Sequence, residues 1–258
     1  MYILNKISIF SNSHEFIETC LQLNVNIKNI YVEKNCISPE IESLSEKYVF
    51  HIIKVDKKNI NQQDFSAKVG LMFGFGIKLS GDIIHSHENG IINIHPGNLN
   101  HYRGRHPIGW ALIERKSEIT LTFHKISREF DLGLIVDEYK ILIDNFDTEK
   151  KVLAKVMLNI NRIVLESVLC AVKNNSNLKM VESGRYLPSL KGKFDDIQSL
   201  NYTSSMLVGI SRAKLDYGGL LIDNQKVGLL YSRLDKPVSR SLLKFFCSDG
   251  EYVYAERE

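Results

Sequence analysis

Long apolar runs, clustered cysteines and blocks of one charge are all missing from this 258-residue sequence, and each absence narrows the reading. Nothing approaches the roughly 20 consecutive apolar residues that cross a bilayer, so no membrane partner is expected. The four cysteines, Cys20, Cys36, Cys170 and Cys247, stand far apart with no C-x-x-C pair, which argues against a disulfide framework or a zinc ribbon. Cys20 and Cys170 fall in apolar helical patterns and are expected to be buried free thiols. The net charge is +3 without a Lys/Arg block, so a nucleic-acid arm is not expected. The first residues, Met1-Tyr2-Ile3-Leu4-Asn5-Lys6, lack a basic region followed by an apolar stretch, which predicts a cytoplasmic protein. No grouping of His, Cys or carboxylates has metal-ligand spacing, so no metal is expected.

What is present is ordinary globular composition, 44% hydrophobic and 24% charged, enough for one large domain with a small appendage. Strand-like runs alternate with helical ones: Lys6 to Phe10, Ile27 to Val32, Phe50 to Val55 and Val69 to Phe75 against His14 to Leu23 and the helix opened by Ser38-Pro39-Glu40. That alternation predicts an α/β fold with a mostly parallel sheet covered on both faces. Ligands in such folds bind beyond the carboxyl ends of the strands. Gly74-Phe75-Gly76 invites a dinucleotide-loop reading, but no third glycine follows at the required spacing and the strand is the fourth. Thr120 to Ile126 predicts a further strand, with His124 as a satisfied core residue. Residues 149 to 173 predict one long core-facing helix carrying Val152, Leu153, Val156, Met157, Ile160, Ile163, Val164, Val168 and Leu169. Asn174-Asn175-Ser176-Asn177 is a polar break, dividing the chain into residues 1–178 and 179–258. Beyond it short β-like runs are expected at Met206 to Ile210, Gly219 to Ile222, Lys226 to Tyr231 and Glu251 to Tyr254.

The most informative stretch runs from Asn93 to Gly104. Asn93 and His95 are two residues apart at the end of an apolar strand, so an extended backbone points both to one side. This pairs an amide donor with an imidazole able to move a proton near neutral pH. Downstream come Tyr102-Arg103-Gly104, Pro107, Trp110-Ala111, Thr120-Leu121-Thr122-Phe123-His124 and Asp131-Leu132-Gly133.

In this order N-x-H-P, Y-R-G-x-x-P, W-A, T-x-T-x-H and D-x-G resemble the 10-formyltetrahydrofolate-dependent formyltransferases. The resemblance is dense over about residues 70 to 140 and fades after about residue 180. It implies a Rossmann-like formyltransferase fold with a small β-rich C-terminal extension. It also implies Asn93, His95 and Asp131 as the catalytic set. Asn93 would donate to the developing oxyanion, His95 would take the amine's proton or bond that oxyanion, and Asp131 would orient His95 or act through a water. Which of His95 and Asp131 is the base stays open. The loop Phe75-Gly76-Ile77-Lys78-Leu79 corresponds to the one that holds the folate pterin, giving Phe75, Gly76, Ile77 and Leu79 as binding residues, with Gly133.

Arg103 either pins its own loop or contacts an anionic substrate, and Tyr102 and Arg105 join it as substrate-binding candidates. Arg105-His106 between glycine and proline looks most like the nucleotide-sugar N-formyltransferase branch. The expected substrates are therefore 10-formyltetrahydrofolate and a nucleotide-linked deoxyamino sugar. The expected assembly is a homodimer working in surface polysaccharide biosynthesis. A methionyl-tRNA formyltransferase-like enzyme with a shortened C-terminal domain is the alternative.

Overall fold

The computed structural model describes residues 5–256 except 24, 49, 130, 175–177, 182–183 and 239–240. The polar break at residues 175–177 therefore lies outside the described residues. In chain order the first elements are β1 (Asn5–Ser11), α1 (His14–Leu21), β2 (Asn26–Glu33), α2 (Pro39–Tyr48), β3 (Ile52–Val55), β4 (Val69–Phe73), α3 (Gly81–His85) and β5 (Ile91–His95). There follow β6 (Arg103–Gly104), α4 (Pro107–Ile113), β7 (Glu118–Lys125), β8 (Ile135–Leu142), α5 (Glu149–Asn159) and α6 (Arg162–Asn174). The last are β9 (Tyr186–Leu187), β10 (Asp196–Ile197), α7 (Ser204–Lys214), β11 (Leu220–Ile222), β12 (Gln225–Val227), β13 (Leu230–Tyr231), β14 (Leu242–Phe246) and β15 (Tyr252–Glu256).

The chain gathers into two compact units. The first holds the residues up to Asn100 with Leu121–Tyr139 and Val156–Gly184. The second holds His101–Thr120, Lys140–Lys155 and the chain from Arg185. The main sheet has the order β3-β2-β1-β4-β5-β7-β8. The strands from β3 to β5 pair in parallel, and β7 joins β5 antiparallel. Every residue of β4 is buried, as a strand covered on both faces requires. Against this sheet Phe10, Tyr31, Val55, Phe65, Met72, Ile77, Leu79 and Ile91 form one packed cluster. Local signals set the helix starts: Ser13 accepts from the Phe16 N–H, and Pro39 opens α2.

Three expectations are corrected here. The long helix over 149 to 173 is two helices, because Asn161 leaves the helix and caps the next one, its Oδ1 accepting from the Val164 N–H at 3.2 Å. The break resets the phase: Leu165, Val168, Leu169 and Val172 form the buried stripe of α6, while Ile163 is exposed, as is Leu153 on α5. Cys170 lies outside that stripe and is exposed; Cys20 is buried as expected. Met206 to Ile210 is not a strand but the middle of α7, started by Thr203, whose Oγ1 accepts from the Met206 N–H. The rest of the extension is small sheets, β10-β11-β12 and β13-β15-β14. Among the described residues no helix is long and apolar enough to cross a membrane.

Candidate active site

The carboxyl end of β5 carries the cluster. Antiparallel pairing sets Asn93 opposite His124 and His95 opposite Thr122, so N-x-H and T-x-H meet residue for residue on one face. The Asn93 Nδ2 lies 3.1 Å from the His124 Nε2. On the far side of that ring, His124 Nδ1 lies 3.3 Å from the Lys125 carbonyl oxygen. A carbonyl only accepts, so Nδ1 carries the proton and Nε2 receives the Asn93 amide. Burial pushes the His124 imidazole down to about 4, against a smaller opposing pull from Asp131. The ring is therefore neutral at working pH and remains an acceptor. Thr122 Oγ1 donates to the Gly97 carbonyl at 2.9 Å, tying the Pro96-Gly97 turn to β7.

Asp131 reaches both rings. Its Oδ1 is 4.0 Å from His95 Nδ1 and 3.8 Å from His124 Nε2, both longer than a hydrogen bond. It adopts a left-handed backbone with φ +54°, a conformation that L side chains seldom take. Two residues on, Gly133 is buried so tightly against β7 that a Cβ there would lie 1.3 Å from the Lys125 carbonyl oxygen. D-x-G is thus a short strained loop pressed onto the strand that bears His124. His95 is 5% exposed, so a substrate must bring its reacting atoms to a nearly enclosed imidazole.

The loop after β4 is held by groups that sequence reasoning did not single out. Glu33 Oε1 accepts from the Gly76 N–H and from Asn12 Nδ2, both at 2.6 Å, and Asn12 Nδ2 also donates to the Gly74 carbonyl. Gly74 has φ +62°, which glycine takes without cost. Phe75 is half-buried and packs edge-on against Phe10, while Ile77 and Leu79 belong to the buried cluster. The segment leaves Gly74 and Gly76 exposed on either side of the half-buried Phe75.

Tyr102, Arg103 and Arg105 belong to the second unit, where β6 pairs with β9. The Arg103 and Arg105 N–H groups donate to the Arg185 and Leu187 carbonyls, and Tyr102 Oη donates to Glu114 Oε2. Glu114 also pairs with Arg185. A Cβ at Gly104 would lie 2.4 Å from the Leu187 carbonyl oxygen, so the Y-R-G turn needs its glycine. In the same unit Glu149 is buried 3.9 Å from His106, and burial raises its carboxyl to about 7. Among the described residues no group of three or more His, Cys, Asp or Glu is placed to hold a metal ion.

His124 is the satisfied core residue that was expected, fully buried with both ring nitrogens partnered. What sequence reasoning did not foresee is that one of those partners is Asn93, which T-x-H meets once the strands run antiparallel.

A stretch of 143 residues is 31% identical to the bifunctional polymyxin resistance protein ArnA of Wigglesworthia glossinidia brevipalpis, covering 52% of this chain and 22% of that protein. This chain thus spans about a fifth of that relative's length. Among solved structures, WlaRD, described as a sugar 3N-formyl transferase crystallised with dTDP and 5-N-formyl-THF, superposes with a TM-score of 0.75 at 14% identity, over 99% of this chain and 98% of that one. The N-formyltransferase from Helicobacter canadensis, in complex with folinic acid and dTDP-3-aminofucose, gives 0.73 at 15% identity over the whole of both chains. At these identities the two likenesses speak for the fold. A family model described as formyl transferase matches residues 11–169, which runs from the last residue of β1 through most of α6 and takes in all of the Asn93, His95, His124 and Asp131 cluster, so this chain belongs to the formyl transferase family.

Proposed function

We propose that the chain moves a formyl group from 10-formyltetrahydrofolate to the amine of a nucleotide-linked deoxyamino sugar. The observation that carries this reading is the nearly enclosed cluster at the end of β5, an amide donor locked by a neutral imidazole beside a second imidazole and a carboxylate. The amine nitrogen attacks the formyl carbon, and Asn93 donates to the oxyanion that forms. Such a preorganised donor contributes roughly 3 kcal/mol. His95, or Asp131 through a water, takes the proton that the amine loses. The intermediate then breaks its bond to the folate nitrogen N10, which receives a proton.

The loop bracketed by Glu33 and Asn12 would hold the pterin through Phe75 to Leu79, and Tyr102, Arg103 and Arg105 would serve the nucleotide sugar. The solved structures that align along the whole chain, described as sugar N-formyltransferases, support a sugar over a tRNA substrate. On this reading catalysis lies in residues 1–178, and residues 179–258 help build a homodimer. The enzyme works in the cytoplasm, in the making of a surface polysaccharide.

The test is incubation with 10-formyltetrahydrofolate and a panel of dTDP-, UDP- and GDP-linked amino sugars, read by mass spectrometry. The expected result is one sugar gaining a formyl group. Formylation of methionyl-tRNA with none of any sugar would overturn the reading.

A further inference from the structure

A buried carboxyl stands behind the turn from Arg103 to Pro107, wholly within the second unit. Glu149 opens α5 and is 8% exposed, and its Oε2 is buried with no hydrogen-bond partner among the described residues. Gly109, in the first turn of α4, packs so closely that a Cβ there would lie 3.0 Å from that oxygen. The other oxygen, Oε1, is 3.9 Å from His106 Nδ1. His106 takes φ +58° just before Pro107, a left-handed conformation that an L residue seldom adopts, so its neighbours must hold it there. On its other side, Nε2 lies 3.4 Å from the Ser189 hydroxyl. The charged and titratable groups facing Glu149 are His106 from the turn before α4, Lys214 at the end of α7, and Asp216 and Tyr217 from the turn that follows. Lys214 is already paired with Asp195, and Asp216 accepts from the Lys150 N–H at 2.8 Å. His106 is a poor cation, because burial, then Arg105 and Lys214, hold its imidazole below the ordinary range. A charge on Glu149 would therefore have little to balance it.

We propose that Glu149 is a positioning residue for this turn: as a neutral acid it seats His106 and the adjoining Arg105, and as a carboxylate it lets the turn go. The inference rests on the reading above in which Arg103 and Arg105 serve the nucleotide sugar. The β6–β9 pairing and the Arg105 N–H bond to the Leu187 carbonyl fix the backbone as far as Arg105. Beyond that point His106 is left to Ser189 and Glu149, so release starts there. Burial raises the Glu149 carboxyl to about 7, against smaller opposing effects of Tyr217 and Lys214. The neutral acid thus prevails below 7 and the carboxylate above it. An ionised oxygen pressed on Gly109 without a partner is costly to keep dry, so ionisation draws water in between α5 and the start of α4. That opening removes one of the two groups that hold His106 in its left-handed conformation. A loosened Arg105 weakens substrate binding and leaves the chemical step alone.

The experiment compares the wild type with Glu149→Gln, which is neutral at every pH, in two measurements. The first is hydrogen exchange over residues 103–113 at pH 6 and pH 8.5, with exposure times scaled for the intrinsic pH dependence of exchange. The wild type is expected to lose protection several-fold at the higher pH, and Glu149→Gln to keep it. The second is kinetics with the amino sugar that the panel above shows to be formylated. The wild-type KM divided by that of Glu149→Gln should be near one at pH 6 and should rise at least about threefold by pH 8.5, with the ratio of kcat values flat; tenfold per pH unit above 7 sets a ceiling of about thirtyfold. His106→Gly takes the left-handed backbone unaided and should show little of either change, which keeps the test open if Glu149→Gln does not fold. Protection or a KM ratio that does not change with pH overturns the proposal and leaves sugar formylation standing. So does an equal loss of protection in the wild type and Glu149→Gln. A kcat ratio that moves with pH refutes it by putting Glu149 in the chemical step. If no sugar is formylated, the functional reading falls, and the exchange measurement alone decides whether Glu149 holds the turn.

Discussion

Replacing His124 by Gln should remove a pH dependence of stability that the structure places on one ring. His124 is fully buried, and its imidazole is pushed from an ordinary 6.5 to about 4. Between those values the unfolded chain binds a proton that the folded one refuses. Its contribution is therefore fully present above 6.5 and is lost as pH falls toward 4. At 1.36 kcal/mol per pH unit, the loss between pH 7 and pH 4.5 is roughly 2.5 kcal/mol. Glu149 works in the opposite sense. Its folded carboxyl is raised to about 7 from an ordinary 4.5, so its contribution is present below 4.5 and disappears as pH rises through 7. The two slopes offset each other in the wild type, so single variants are needed to see either. Urea denaturation at half-unit steps from pH 4.5 to 7 should show the wild type gaining on His124→Gln by roughly 2.5 kcal/mol as pH rises. Glu149→Gln should steepen the rise. If the gap between wild type and His124→Gln stays constant over the range, burial is not what keeps the ring neutral, and the account of how Asn93 is oriented fails with it.

Three further outcomes are expected. His95→Asn should lower formyl transfer by about 10² to 10⁴ with folate binding retained; a loss below tenfold would remove it from proton transfer. Asp131→Gly relieves the left-handed backbone at φ +54° while deleting the carboxylate, so thermal stability should hold or rise as kcat falls by at least about tenfold. An active Asp131→Gly enzyme would make the loop, not its carboxylate, the contribution. Glu33→Ala frees the Gly74 to Gly76 loop and should raise the KM for formyl-folate several-fold with little change in kcat, whereas Glu33→Gln keeps an acceptor for the Gly76 N–H and should restore it. Equal KM values for the two variants would show that the loop needs no bracket.

Much of the first unit was legible because its signals are local. Ser13 and the Ser38-Pro39 pair mark helix starts, the continuous apolar runs mark buried parallel strands, and Asn93 with His95 declares a shared face through strand periodicity alone. What was not legible depended on partners distant in sequence. Met206 to Ile210 reads as a strand because a five-residue apolar run has no resolvable period, and Gly209 in its middle argues against a helix. In the folded chain that glycine is what lets α7 approach α4: a Cβ there would sit 2.5 Å from the Leu112 carbonyl oxygen. His124 reads as a core histidine and is one, but its contact with Asn93 depends on the register of β7 against β5, which no spacing within one strand declares. The break at Asn161 is a cap inside an unbroken apolar stripe, and the stripe hid it.

The register of β5 against β7 divides the intervening sequence into positions that must stay in step and positions that need not. Asn93 to His95 and Thr122 to His124 are locked pairwise across two backbones. One residue inserted within β7 would turn His124 to the opposite face and bring a neighbour against Asn93. The 22 residues between the end of β5 and the start of β7, 96–117, carry no such constraint on their number. Lineages of this family should accordingly differ freely in length between these two strands while keeping the strands themselves free of gaps.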